Sequence, residues 1–330
     1  MIDLHLHLDG SLTAKEILFL ANLQKISLTQ WDEDAIKRQI TAPLHCQNLN
    51  EYLQCFALTL TVLQSAEALS HAVQSLISRL AAGGMRYVEI RFAPQLHMKK
   101  GLSQKAATAA AVVGLKAAVQ THKSIQAGLI LCFMRGSDND HLNTQTLDAA
   151  EEFLSYGVCA VDLAGAEGLY PTEKYRPLFA KVRAQGIPFT VHAGEAVGPE
   201  SIRAALSFGT KRVGHGVRCV EDSALVNMLA ENGVTLELCP TSNLQTKAVG
   251  DISKFPVREL IGSGVPVTIN TDNMTVSGTD LEHEFTLLKT KLGLTKEEKN
   301  KLMANAVAAA FLPNDQKQTL LKDVFGLSQH

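Results

Sequence analysis

Residues 2–11 read IDLHLHLDGS, with Asp3, His5, His7 and Asp9 at alternate positions. In an extended strand alternate side chains share a face, so these four line one side and Ile2, Leu4, Leu6 and Leu8 the other. Two readings are open for this polar row. It is the solvated face of an edge strand, or its two imidazoles converge on a metal ion. Residues of the same chemistry recur in short motifs: His192 and Glu195 in VHAGE, His215 in RVGHG, Asp272 in NTD. Nitrogens from His5, His7 and His192 with an Asp272 oxygen suit zinc, which brings the pKa of bound water from about 15.7 to roughly 7. Glu195, in a glycine-containing turn just after His192, can face the same pocket without binding the ion. A carboxyl shielded from water beside a cation can be tuned to give or take a proton. His215 could hydrogen-bond the hydroxide. Taken singly, each of these residues defaults to a structural role; their joint placement argues for chemistry.

That placement depends on the elements that carry them. Eight β-rich runs punctuate the chain: 2–8, 86–94, 125–134, 157–165, 187–195, 212–216, 233–240 and 266–272. Helical periodicity fills the intervals, as in LSQKAATAAAVVGLKAAVQTH and DSALVNMLAENG, and several intervals close on the glycine that suits a helix C-terminus. Strand and helix in alternation imply a parallel sheet. Eight such units predict an α/β fold of the (β/α)8 TIM-barrel type, with a doubly wound open sheet as the alternative. On a barrel every candidate falls at a strand's C-terminal end, the face where such folds build active sites. A helical insertion at about 13–83 follows strand one. Within it LNEYLQCFALTLTVLQ carries Tyr52, Leu53, Phe56 and Leu60 on overlapping turns, and is expected to cover the C-terminal face. The pattern TKEE from Thr295 opens two further helices outside the barrel.

Composition narrows the function. The net charge is −2, with 46% hydrophobic and 19% charged residues. That offers no basic footprint for nucleic acid, and no apolar run of about 18 residues to span a bilayer. A small molecule is the expected partner. No linker, repeat or long charge run divides residues 1–330, which read as a single catalytic domain. MIDLHLHLDG has no basic segment followed by an apolar core, and the six cysteines show no C-x-x-C. Both features fit a cytoplasmic protein with buried reduced thiols. His45, His71, His97, His122, His141, His283 and His330 are expected to be solvated or to cap helices. Arg91 and Glu89 are expected to pair inside the barrel. Strand four ends in DLAG with no lysine to bridge two ions, so one metal per chain is expected.

The motifs HLHLDGS (5–11), RYVEIRFAP, DLAG, VHAGE, RVGHG, CPTSN and NTD together resemble the adenosine deaminases among the amidohydrolase-type zinc barrels. The resemblance spans most of the chain. It implies one Zn2+ on His5, His7, His192 and Asp272, with Glu195 protonating purine N1 while hydroxide, oriented by His215 and Asp272, attacks C6. It also implies that the Gly165 N–H meets purine N3, that Asp9 binds the ribose 5′-hydroxyl and that Phe56 and its neighbours form an apolar wall. Where the family has a second Asp contacting N7, this chain has Asn273, whose amide donates without needing a proton. Ala166 stands where DLAGDE has an acid, and nothing in the sequence explains it. The implied substrate is a purine nucleoside, adenosine or 2′-deoxyadenosine. Free adenine or another 6-aminopurine is the near alternative, and a metal-stabilised nucleoside-binding protein the distant one. Intact Glu195 and His215 argue against the last. The other zinc deaminase signature, H-x-E with P-C-x-x-C, is absent.

Overall fold

Eight strands run Ile2–His7 (β1), Tyr87–Phe92 (β2), Gln126–Met134 (β3), Val158–Ala164 (β4), His192–Ala193 (β5), Arg212–His215 (β6), Thr235–Leu238 (β7) and Val267–Ile269 (β8) in a computed structural model that describes residues 1–28, 32–43 and 45–326. All neighbouring pairs are parallel, forming the four-stranded sheets β1-β2-β3-β4 and β5-β6-β7-β8. Parallel bridges join them at both seams, Leu6 to Asp272 and Val161 to Phe189. The result is the (β/α)8 barrel, with every predicted strand in its expected window. His330 lies outside the described residues.

Apolar residues of the strands, such as Leu4, Leu6, Val88 and Ile90, are fully buried in the main apolar core. The polar row packs differently. Arg91 donates to Asp162 (2.8 Å) and Glu237 (2.9 Å), and Arg212 donates to Glu237 and Glu89 (2.7 Å each), with all five side chains buried. Arg91 and Glu89 are therefore both buried as expected, but they do not pair with each other. Two residues apart on one strand, they reach acceptors and donors on other strands. Buried charges persist only when paired and hydrogen-bonded, and this network satisfies them across four strands.

Three further departures from expectation have local causes. The 49–64 segment is no single helix but Leu49–Tyr52, a 3-10 turn Leu53–Phe56 and Ala57–Val62, which bring Leu49, Tyr52, Leu53, Phe56 and Leu60 together on one cavity. Helix Ala66–Ala82, also between β1 and β2, packs instead against helix Gln104–Thr121. The tail forms the two expected helices, Lys296–Ala309 with a capping box at Thr295 and Asn314–Phe325, but it also reaches strand residues of the buried network. The Phe311 N–H meets the Glu89 carboxylate, and the Arg212 guanidinium, at the start of β6, lies 4.0 Å from the Phe311 ring centre. All six cysteines are free, and five are buried. No helix among the described residues is long and apolar enough to cross a membrane.

His97 is the other correction. It is fully buried rather than solvated, and its Nδ1–H donates to the Leu63 carbonyl (2.8 Å), just beyond helix Ala57–Val62. Nε2 has no partner, and burial pushes the ring's pKa down to about 4. Below about pH 6.5 the unfolded chain takes up a proton that the folded chain refuses until about pH 4, so acid in that window destabilises the fold. Buried carboxyls such as Glu284, pushed up to about 7, act with the opposite sign, so the comparison must isolate His97. Relative to His97→Phe, the wild type should lose about 2 kcal/mol of unfolding free energy between pH 7 and pH 5 in urea titrations. A difference that does not change with pH would contradict this.

Candidate active site

The C-terminal ends of β1, β5, β6 and β8 converge on one point. His5 and His7 close β1, His192 opens the short β5, His215 ends β6 and Asp272 follows β8. His7 Nε2 lies 3.2 Å from His192 Nε2 and 3.4 Å from Asp272 Oδ1, and His5 Nε2 lies 3.5 Å from the same oxygen. Each of the four residues offers a ligand atom within 4.8 Å of the other three. Close approach here needs Gly214: a Cβ would stand 3.0 Å from His5 Cε1 and 3.2 Å from the His192 backbone. His215 (φ 58°) and Asp272 (φ 57°) both take left-handed backbone conformations, uncommon for residues with a side chain and frequent where function fixes the geometry.

Electrostatics suit a cation. Burial pushes His192 down and His7 well down, so both rings are neutral with lone pairs to offer. Burial opposes ionisation of Asp272, yet the nearby His5 imidazole and the other surrounding histidines hold its carboxyl well below the usual range. His5 Nε2 is buried without a hydrogen-bond partner. Two of the three imidazoles face a buried carboxylate on the far side: His5 Nδ1 donates to Glu237 (2.8 Å), and His192 Nδ1 lies 2.8 Å from Asp162. Carboxylates behind ligating histidines fix ring orientation and raise ligand basicity. Three imidazole nitrogens and one carboxylate oxygen converging on one point are a donor set that fits a divalent metal ion.

Beside this cluster the Glu195 carboxyl is buried, 3.6 Å from His215 Nε2. Burial, reinforced by the charges of Asp272 and Glu167, pushes its pKa well above the ordinary carboxyl value, which favours its protonated form. The Asn243 amide donates to His215 Nδ1 (2.9 Å), which leaves the ring's proton on Nε2. Ser242 donates to Asp272 Oδ2 (2.6 Å). Both donors come from CPTSN. The cavity above is lined by His7, Asp9, Phe56, Gly165, His192, Glu195, His215, Asp272 and Asn273, with Leu49, Tyr52, Leu53 and Leu60. Every residue that the resemblance assigned to the metal or the substrate thus lies on this cavity, save His5, which is fully buried in the donor cluster.

A sequence model of the family described as adenosine deaminase matches residues 1–326. The chain belongs to the adenosine deaminase family. An adenosine deaminase of Haemophilus ducreyi is 45% identical over 327 residues, 98% of this chain and 95% of the relative. One from Enterococcus faecalis is 39% identical over 319 residues, covering 97% and 94%. In shape, the chain is similar to an adenine deaminase of Arthrobacter aurescens, with a TM-score of 0.90 at 26% identity and 98% of each chain covered.

Five residues of this family member escaped the reading of its sequence. Asp162 sits in DLAG and Glu237 in TLEL, each one carboxylate on a strand, and only the closed barrel shows which imidazole each one holds. Ser242 and Asn243 lay in a motif too weak to interpret alone. Glu167 directly follows the unexplained Ala166, and its hydrogen bonds are to residues 194–197 and Ser201, far along the chain. Its sole signal was an acid beside DLAG.

Proposed function

We propose that this chain is a zinc-dependent hydrolase that converts adenosine and 2′-deoxyadenosine to inosine and 2′-deoxyinosine with release of ammonia. The observation that carries the reading is the buried Glu195 carboxyl facing the same cavity as the four-donor cluster, with His215 Nε2 3.6 Å from it. Zinc bound by His5, His7, His192 and Asp272 would supply Lewis acidity that makes water acidic near neutral pH. Glu195 gives its proton to purine N1, which draws electron density away from C6. The attacking water forms the new C6–O bond and its proton passes to the carboxylates, Asp272 held by Ser242 being the nearest acceptor. His215 Nε2–H donates to the oxygen arriving at C6. The proton taken by Asp272 then passes to N6, the C6–N6 bond breaks to release ammonia, and the proton of the C6 hydroxyl returns to Glu195 as the C6=O bond forms.

The apolar wall of Leu49, Tyr52, Leu53, Phe56 and Leu60 excludes water from the purine, with residues 13–83 serving the single catalytic unit of 1–330. Gly165 (φ 104°) turns the backbone at the end of β4 to face purine N3, and Asn273 offers its amide to N7. Six unpaired thiols support a cytoplasmic location.

Asp9 decides between nucleoside and base. It is 8% exposed on the cavity, and its Oδ1 has no hydrogen-bond partner. A carboxylate accepting from a ribose 5′-hydroxyl would contribute about 1.5–3 kcal/mol, or roughly 10- to 150-fold in kcat/KM. Incubation with adenosine, 2′-deoxyadenosine, 5′-deoxyadenosine, adenine and AMP, followed by ultraviolet absorbance, tests this. Adenosine should exceed adenine, 5′-deoxyadenosine should fall within that penalty and AMP should be rejected. Asp9→Ala should erase the 5′-deoxy penalty. Adenine equal to or better than adenosine would move the assignment to a free 6-aminopurine, the reading favoured by the shape likeness to an adenine deaminase.

A further inference from the structure

Glu167 has no part in the chemistry above, yet few side chains here are so completely engaged. It is 2% exposed. Its Oε1 accepts from the Gly194 N–H (2.7 Å) and from the Ser201 hydroxyl, and its Oε2 from the N–H groups of Glu195 (3.1 Å), Ala196 (2.7 Å) and Val197 (3.0 Å). No lysine or arginine pairs with it among the described residues. Five donors on one carboxylate, four of them consecutive backbone amides, form an anion-holding nest of the kind that successive N–H groups make in a turn. The turn depends on Gly194: φ is 74°, and a Cβ there would stand 2.4 Å from Ile202 Cδ1.

The second residue of this nest is Glu195. We propose that Glu167 is a positioning residue for the reaction: its carboxylate clamps the backbone of residues 194–197 and so sets where the Glu195 carboxyl meets the purine. The proposal rests on the reading of Glu195 as proton donor. A loop of two β residues followed by a glycine turn has little hydrogen bonding of its own, and β5 is only His192–Ala193. Without an acceptor, these four N–H groups, those of Gly194 and Glu195 buried, would turn elsewhere and carry Glu195 with them. The negative charge also lies beside Glu195 and favours retention of its proton, the form the reaction needs. A displacement of order 1 Å in a reacting group can cost about 10²-fold.

Glu167→Gln is nearly isosteric but offers one acceptor oxygen, and its NH2 faces donors. With the metal-loaded protein and adenosine, kcat should fall about 10- to 100-fold while KM moves less than about threefold and metal content stays unchanged, because the lost interaction concerns proton delivery rather than binding. A merely structural role would lower turnover equally whatever residue stands at 195. The deciding measurement is therefore a double-mutant cycle: in a Glu195→Gln background, Glu167→Gln should add less than about threefold further loss. Equal losses in both backgrounds, loss of metal, or an unchanged kcat in the single variant would overturn the proposal. If Glu195→Gln alone keeps near-wild-type turnover, the donor assignment fails instead. Should Glu167→Gln prove unfolded by circular dichroism, Glu167→Asp, which keeps the charge but withdraws it by a methylene, takes its place. Its loss should be several-fold in the wild type and vanish in Glu195→Gln, and equal loss in both would again overturn the proposal.

Discussion

Glu195→Gln should keep its metal and lose a factor of about 10² to 10⁴ in kcat, the range for a general acid or base. The side chain is buried and of the same size, so packing changes little. What vanishes is the transferable proton. A glutamine amide can still donate a hydrogen bond to N1, so KM should change far less than kcat. The proposed ligand atoms come from His5, His7, His192 and Asp272, so this position is not among them. Metal content measured on the same preparation separates loss of the donor from loss of the ion. Turnover within tenfold of the wild type would show that the proton comes from elsewhere.

Stability offers the second large effect. Glu237 is fully buried and accepts from Arg91, Arg212, Thr190 and His5. Burial opposes its ionisation, but the two guanidiniums hold its pKa well below the ordinary value. Glu237→Leu should cost about 3–5 kcal/mol, because removing one partner of a buried charge network strands the others. Arg91 keeps Asp162 and Arg212 keeps Glu89, which places the cost toward the lower end. The His5 ring also loses its anchor, and metal affinity should drop about 10- to 100-fold. Urea unfolding of metal-free protein reads the first effect and competition with a chelator the second. A change below about 1 kcal/mol would mean that the remaining Arg91–Asp162 and Arg212–Glu89 pairs suffice to hold the barrel interior.

The site was legible in the sequence for a geometrical reason. A period of two puts Asp3, His5, His7 and Asp9 on one face whatever the fold, and a parallel barrel brings strand ends together, so VHAGE, RVGHG and NTD could be assigned to one place before any coordinate was known. What periodicity cannot supply is the partner across the barrel. Glu89 and Arg91 lie on one face of β2, but strand stagger and closure aim them at Arg212 and at Asp162 with Glu237. Glu167 was illegible for the same reason, since its five donors lie 27–34 residues away. The segment 49–62 shows the complementary failure. Its apolar spacing fits one helix, yet a 3-10 turn divides it, and the resulting bend aims Leu49, Phe56 and Leu60 at a single cavity.

The central claim is that this chain hydrolyses adenosine with one ion held by His5, His7, His192 and Asp272. Protein stripped by a chelator and titrated with zinc, with adenosine consumption followed by ultraviolet absorbance, tests it most directly. Activity should be negligible without metal and rise linearly to a plateau at one equivalent per chain, and His5→Ala should show no such rise. Full turnover in the stripped protein, or a plateau reached only at two equivalents, would contradict it.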